Sequence, residues 1–191
     1  AARSVRIPSA IVGAIVVDEE QRQGYNLIYD PAISGEKVIP KPDVPMSPFS
    51  VRQIIARRAH EELHDGAVIN YGFGIPDEVA GIVAARGDLG RYYQTIEHGT
   101  YGGTLLSGSM FGYAYNPSCM IDGPSQFDFY SGGGLDIAFL GFGEIDQHGN
   151  VNASKLGGLT VGPGGFIDIA QNAQKMVFVG TFDAKGAKLN I

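Results

Sequence analysis

Ala67-Val68-Ile69-Asn70-Tyr71-Gly72-Phe73-Gly74-Ile75-Pro76-Asp77 passes from an apolar run through two glycines to a proline and an acid. Residues 67–71 read as a short buried strand, Gly72-Phe73-Gly74-Ile75-Pro76 as a turn, and residues 77–86 as a helix with Pro76 near its start. Strand, glycine loop and helix in this order form the unit from which α/β domains are built. Such a loop aims backbone N–H groups from a positive helix end, which suits a phosphate or an oxyanion. The third glycine of a dinucleotide fingerprint and the lysine of a P-loop are missing, so NAD or ATP binding is not indicated. A purely structural tight turn reads equally well.

Upstream, Ser50 is placed to cap a helix over residues 51–64, with Ile54, Ile55, Ala59 and Leu63 on one face and Asp65-Gly66 as its stop. Residues 7–17 are apolar and β-branched enough for a buried strand ending at Asp18-Glu19-Glu20. Residues 24–49 carry Pro31, Pro40, Pro42, Pro45 and Pro48, the signature of an extended linker. Downstream, residues 114–121, 127–130 and 136–142 read as short core strands separated by glycine-rich connections. Gly149-Asn150 marks a turn, Gly162-Pro163-Gly164-Gly165 a second glycine loop, residues 168–173 a short helix and residues 175–181 a last strand.

The 44% hydrophobic content expects a globular chain with a real core. Its 28 glycines show no collagen-like period, so they are expected in tight turns and at close backbone approaches. A net charge of -6, with no basic cluster beyond Arg57-Arg58, argues against nucleic acid as a partner. Cys119 is the single cysteine, which rules out an internal disulfide and suits a reducing cytoplasm. No apolar run approaches the ~18 residues of a membrane span. The chain opens without Met and closes on Lys188-Leu189-Asn190-Ile191, a pattern expected of part of a larger polypeptide.

In Thr95-Ile96-Glu97-His98-Gly99-Thr100-Tyr101-Gly102-Gly103 one carboxylate stands at the expected junction of a strand and a turn. Glu97 is the candidate covalent nucleophile, against the bland reading of a solvated turn residue. The amides of Gly164 and Gly165 are candidates for a carbonyl oxygen or a pantetheine chain, and Asn150 and Asn152 are secondary binding candidates. His60-Glu61-Glu62-Leu63-His64 matches the H-E-x-x-H pattern of zinc peptidases, with both histidines on one face of the expected helix. The helix stops at once, however, and no third ligand follows at short distance. No metal is expected.

Taken together, residues 52–181 resemble the β-subunit-like, C-terminal half of the family I CoA-transferases, nearest to fused short-chain acyl-CoA enzymes acting on acetate or propionate. Asn70-Tyr71-Gly72-Phe73-Gly74-Ile75-Pro76 is similar to the family's Asn-Leu-Gly-Ile-Gly-Ile-Pro segment. Glu144-Ile145-Asp146-Gln147-His148-Gly149-Asn150-Val151-Asn152 and Gly164-Gly165-Phe166-Ile167-Asp168-Ile169 resemble two further signatures. Glu97-His98-Gly99 takes the place of the catalytic Glu-Asn-Gly or Glu-Ser-Gly, with His98 as the departure.

The resemblance implies a three-layer α/β domain with a mostly parallel sheet flanked by helices. Residues 1–49 would be a strand and linker from a preceding half, and residues 50–191 a β-subunit-like domain incomplete at its C-terminus. It implies transfer of CoA between a short-chain acyl-CoA and a carboxylate such as acetate, through a glutamyl-CoA thioester on Glu97. Coenzyme A is then a co-substrate with no permanent cofactor, bound by Gly72, Phe73, Gly74, Ile75, Pro76, Asn150, Asn152, Gly164 and Gly165. The expected partners are the N-terminal, α-like half of the same enzyme and further copies in a homo-oligomer, with neither membrane nor nucleic acid. The alternatives are a zinc-dependent hydrolase using His60 and His64, and a noncatalytic CoA-binding subunit.

Overall fold

The computed structural model describes residues 5, 7–22, 24, 27–40, 42 and 46–181. Its elements in chain order are α1 (Val51–His60), β1 (Val68–Tyr71), α2 (Ile75–Arg86), β2 (Tyr93–Ile96), β3 (Thr100–Tyr101), β4 (Thr104–Leu105), β5 (Ala114–Tyr115) and β6 (Cys119–Met120). There follow α3 (Gly123–Phe129), β7 (Ile137–Leu140), β8 (Glu144–Ile145), β9 (Val151–Asn152), β10 (Lys155–Leu156), β11 (Leu159–Thr160), α4 (Phe166–Asn172) and β12 (Lys175–Phe178).

The central sheet has the order β12-β7-β1-β2-β3-β6. β12, β7, β1 and β2 run parallel, with Asn70 opposite both Thr95 and Ala138, while β3 and β6 add antiparallel at one edge. Alternate residues of the parallel strands enter two separate cores. Ile69, Tyr71, Ile137 and Phe139 pack under α1 and α2 with Ala56, Ala59, Val79 and Val83. Ala138 and Leu140 pack on the other face with Tyr130, Leu135 and Ile169, from α3, α4 and their surroundings. Burial on both faces explains why these strands are almost continuously apolar. The arrangement is the expected three layers with a mostly parallel sheet.

Local chemistry sets the ends of the helices. The Ser50 side chain accepts from the Gln53 amide, and α2 stops at Gly87, φ +77°, where the Gly87 amide donates to Ala84 and the Asp88 amide to Val83.

Several expectations are corrected. The first helix ends at His60 rather than His64, because the next amides turn back on carbonyls three residues earlier: Glu62 on Ala59 and Leu63 on His60. Residues 127–130, expected as strand, belong to α3 and its continuation. There the Asp122 carboxylate caps the Ser125 amide, and Gly123-Pro124 opens a helix that outweighs the β preference of Phe and Tyr. Residues 114–121 split into β5 and β6 because Asn116, at φ +55°, breaks the extended run.

Residues 7–17 are no buried strand. After a 3-10 turn at Ser9–Ile11 the chain pairs with no strand among the described residues, and Ile15, Val16 and Val17 are 81%, 90% and 82% exposed. An apolar run becomes a strand only beside a ladder partner, and none of the described sheet edges reaches it. The proline-rich stretch is more than a linker. Ala32 and Ile33 are buried, the Asn116 amide donates to the Ala32 carbonyl, and the Asn116 side chain closes two hydrogen bonds with the Ile39 backbone.

Candidate active site

β1, β2 and β7 all end at the same edge of the sheet, and loops leave them there with Gly72, Glu97 and Gly141 as their first residues. In α/β sheets ligands bind outside the carboxyl ends of the strands, and a cleft of about 380 Å³ opens at this edge. Glu97 lines it with Gly72 and Phe73 from the first loop, Leu140 to Gly143 at the end of β7 and just after it, and Pro163 to Phe166 leading into α4.

The turn that presents Glu97 is tight. The Gly99 amide donates to the Ile96 carbonyl at 2.9 Å, and Gly99 stands at φ +99°, so the chain reverses at once from β2 into β3. Its neighbour across the sheet leaves no room: a Cβ on Gly99 would lie 2.0 Å from the Ile121 carbonyl oxygen. Gly165 presses against the carboxylate in the same way, since a Cβ there would stand 2.8 Å from Glu97 Oε2 and 2.9 Å from the Phe127 ring. Burial raises the Glu97 carboxyl above its ordinary 4.5, and His98 pulls it partly back. Glu97 is thus half-buried, desolvated and more basic than a surface carboxylate, which suits a nucleophile.

Behind Glu97 lies a buried polar lock. Thr95 Oγ1 donates to the Ile69 carbonyl at 2.7 Å and Asn70 Nδ2 donates to the Tyr130 hydroxyl at 3.0 Å. The Tyr130 proton is therefore left to donate to Thr95 Oγ1. Burial pushes the Tyr130 phenol up to about 12, so it keeps that proton. The three side chains tie β1 and β2 to the C-terminal end of α3 just before Glu97.

Of the residues singled out in the sequence, Gly72, Phe73, Glu97, Gly164 and Gly165 come together in the cleft. Gly74, Ile75 and Pro76 form the start of α2, and the Gly74 amide is directed at Asp77 Oδ2, 3.3 Å away. Asn150 closes the β8–β9 turn onto Asp146, and Asn152 binds Glu144 and the Lys155 carbonyl. They shape a hairpin whose continuation, Ala153 and Leu156, lines the cleft. Sequence reasoning missed Phe111, Phe142 and Phe166. The pattern Leu140-Gly141-Phe142-Gly143 repeats the strand-then-glycine signal of Tyr71-Gly72-Phe73-Gly74 and was the available clue.

His60 and His64 do not share a face. His60 is buried, with Nδ1 toward Arg86 and Nε2 lacking a hydrogen-bond partner, whereas His64 lies beyond the helix end, exposed, against the Asp65 carbonyl. Among the described residues no group of three or more His, Cys, Asp or Glu side chains is disposed to hold a metal ion. No described helix is long and apolar enough to cross a membrane. Burial first, and then Arg86, lowers the His60 pKa below its ordinary 6.5. The unfolded chain therefore takes up a proton at 6.5 that the folded chain refuses, and stability is lost as pH falls below that value. His60→Met removes both the unpartnered nitrogen and this titration. It is expected to raise the melting temperature, more at about pH 5.5 than at about pH 8, in paired thermal scans.

No family model matches the chain. Caffeate CoA-transferase of Acetobacterium woodii is 42% identical over 191 residues, covering 96% of this chain and 36% of that protein. Acetate CoA-transferase YdiF of Escherichia coli K12 is 40% identical over 190 residues, covering 99% of this chain and 36% of the relative. The chain thus spans about a third of the length of these relatives. The β subunit of an acetate CoA-transferase from Haemophilus influenzae matches 68% of the chain at 29% identity, over 62% of its own length. The crystal structure of the acyl-CoA transferase YdiF apoenzyme from E. coli O157:H7 superposes with a TM-score of 0.80 at 41% identity, over 97% of this chain and 34% of that one. A second YdiF structure, a thioester complex with CoA, superposes with a TM-score of 0.78 at 39% identity, over 94% of this chain and 34% of that one. With the fold, the cleft and these likenesses in agreement, the chain is homologous to part of the CoA-transferases and matches their β subunits.

Proposed function

We propose that this chain supplies the nucleophile of a CoA-transferase that moves CoA between an acyl-CoA and a short-chain carboxylate. The observation that carries the reading is the half-buried Glu97 carboxylate held against Gly165 at the carboxyl edge of the sheet. Glu97 attacks the acyl carbonyl, the tetrahedral oxyanion collapses, and CoA thiolate leaves an acyl-glutamyl anhydride. The thiolate then attacks the Glu97 carbonyl and expels the first carboxylate, forming a glutamyl-CoA thioester. The acceptor carboxylate attacks that thioester to give a new anhydride, and the freed thiolate takes its acyl group, regenerating Glu97.

Each addition places charge on a carbonyl oxygen, for which the backbone amides of Gly164 and Gly165, lining the same cleft as Glu97, are the candidate donors, while Gly72 and Phe73 on that cleft are the candidates to bind CoA. Gly74, Ile75 and Pro76 hold that loop, and Asn150 and Asn152 set the hairpin on the opposite side. Residues 1–49 form the arm of a preceding α-like half that completes the site, residues 50–191 the β-like domain, and the assembled enzyme works as a cytoplasmic oligomer. CoA serves as co-substrate.

The test is the mass of the complete enzyme after incubation with acetyl-CoA, followed by peptide mapping. A borohydride-reducible CoA adduct on Glu97 supports the reading, and an unmodified Glu97 in an enzyme that binds CoA rejects it. A second variant probes the geometry. Gly165 has φ −75°, which alanine adopts freely, so Gly165→Ala should fold. Its Cβ would displace the carboxylate by collision, and transfer is expected to fall about 100-fold with a small change in melting temperature.

A further inference from the structure

The cleft wall beside Glu97 is aromatic in a way that a two-carbon acyl group does not use. Phe73 is 66% exposed at the lip, and its ring meets the edge of Phe111 at 5.5 Å and 78°. Phe111 is itself braced by the His98 imidazole at 6.1 Å and 75°. Both supports are backed by glycine. A Cβ on Gly72 would lie 3.0 Å from Leu140 and 3.1 Å from the Phe139 carbonyl, so the loop bearing Phe73 sits hard against β7. A Cβ on Gly112 would lie 2.7 Å from His98 Nδ1, so the imidazole rests on bare backbone. The row His98–Phe111–Phe73 is a fixed surface.

The remaining wall is Leu140, Phe142, Leu156 and Phe166, and Glu97 is the single ionisable side chain among the described lining residues. A cavity of about 150 Å³ is enough to hold a benzene ring. The cleft offers about 380 Å³, room for an aromatic ring beside the reacting thioester. Aromatic pairs gain from edge-to-face contact beyond simple burial, and an exposed ring braced in this way gains most from a planar partner.

We propose that Phe73 and Phe111 are specificity-determining residues that select acyl-CoA donors with an aromatic acyl group over acetyl-CoA. The inference rests on the transferase reading above and deepens it. One methylene in an apolar pocket already changes kcat/KM by about 10-fold or more, so a ring seated on this wall is expected to do at least as much.

The test compares benzoyl-CoA with acetyl-CoA as donors to a common carboxylate acceptor, using the complete enzyme. The expected kcat/KM ratio favours benzoyl-CoA by at least about tenfold, and Phe73→Ile and Phe111→Leu each reduce that ratio by about tenfold. If the rings only touched the pantetheine arm shared by both donors, both rates would fall together and the ratio would stay. An unchanged ratio in both variants, or a wild-type ratio at or below one, overturns the proposal. Phe73 is exposed, so its variant keeps the fold, and inhibition of the wild-type enzyme by benzoate against acetate gives the same comparison without substitution. Peptide mapping of Glu97 after each donor separates the two failures. A Glu97 adduct without aryl preference rejects this inference alone, whereas no adduct with either donor rejects the transferase reading and this inference with it.

Discussion

Glu97→Gln is expected to stop acyl exchange in the complete enzyme, lowering kcat by about 10⁴-fold or more, because the amide is neither a nucleophile nor a group that becomes a thioester. The same substitution is expected to stabilise the fold at neutral pH. Burial raises the Glu97 pKa above 4.5, so between that value and the folded one the native state holds a proton that the unfolded state has released. Stability attributable to Glu97 is thus present below pH 4.5 and declines as pH rises through the folded value. A neutral Gln removes that decline. Thermal scans should show Glu97→Gln melting above the wild type at pH 7, with the gain vanishing near pH 4. An equal or lower melting point at pH 7 would show that the carboxylate is not held at a cost to the fold. The wild-type acid limb of kcat/KM should likewise lie above 4.5, since the proposed mechanism has the ionised carboxylate attack.

Gly99→Ala is the second large effect, and it acts on stability. Alanine there meets two obstacles: a backbone at φ +99°, and a Cβ 2.0 Å from the Ile121 carbonyl oxygen. That oxygen belongs to the chain whose Ile121 amide donates to Gly99 at 2.9 Å, so neither side yields without breaking the β3–β6 edge. The expected loss is about 3–5 kcal/mol, read as a fall in the urea midpoint. Gly66→Ala provides the control. It has φ +77° with nothing within 4 Å of its Cβ, so strain alone should cost about 1–2 kcal/mol. Similar losses at the two positions would show that the close approach at Gly99 is relieved by movement.

Much of the parallel sheet was legible because its signals are local. Val68–Tyr71, Ile137–Leu140 and Lys175–Phe178 are short apolar runs bounded by glycine or charge, and they fell where expected. The failures came where a local signal competed with another or needed a distant partner. Phe127 and Tyr130 favour strand, yet the cap at Asp122 decides for helix. Residues 7–17 have strand composition and no ladder to join among the described residues.

The site divided along the same line. Glu97, Gly72 and Gly165 were identifiable because a carboxylate at a strand end and glycines before helices are statements about neighbouring residues. Phe111 and Leu156 were not, because nothing near them in sequence says that they face Glu97. His60 and His64 show the reverse, a local pattern cancelled when the helix ends four residues early and buries one ring while exposing the other.

The sequence by itself determined the strand–glycine–helix units, since hydrophobic period, capping and turn chemistry act within a few residues, and its motifs carried the resemblance that singled out Glu97 as the candidate nucleophile. Tertiary structure alone decided which loops converge on Glu97, the desolvation that raises its pKa, and the aromatic wall. Those depend on strands far apart in the chain ending at one edge of the sheet, where packing brings their loops into contact.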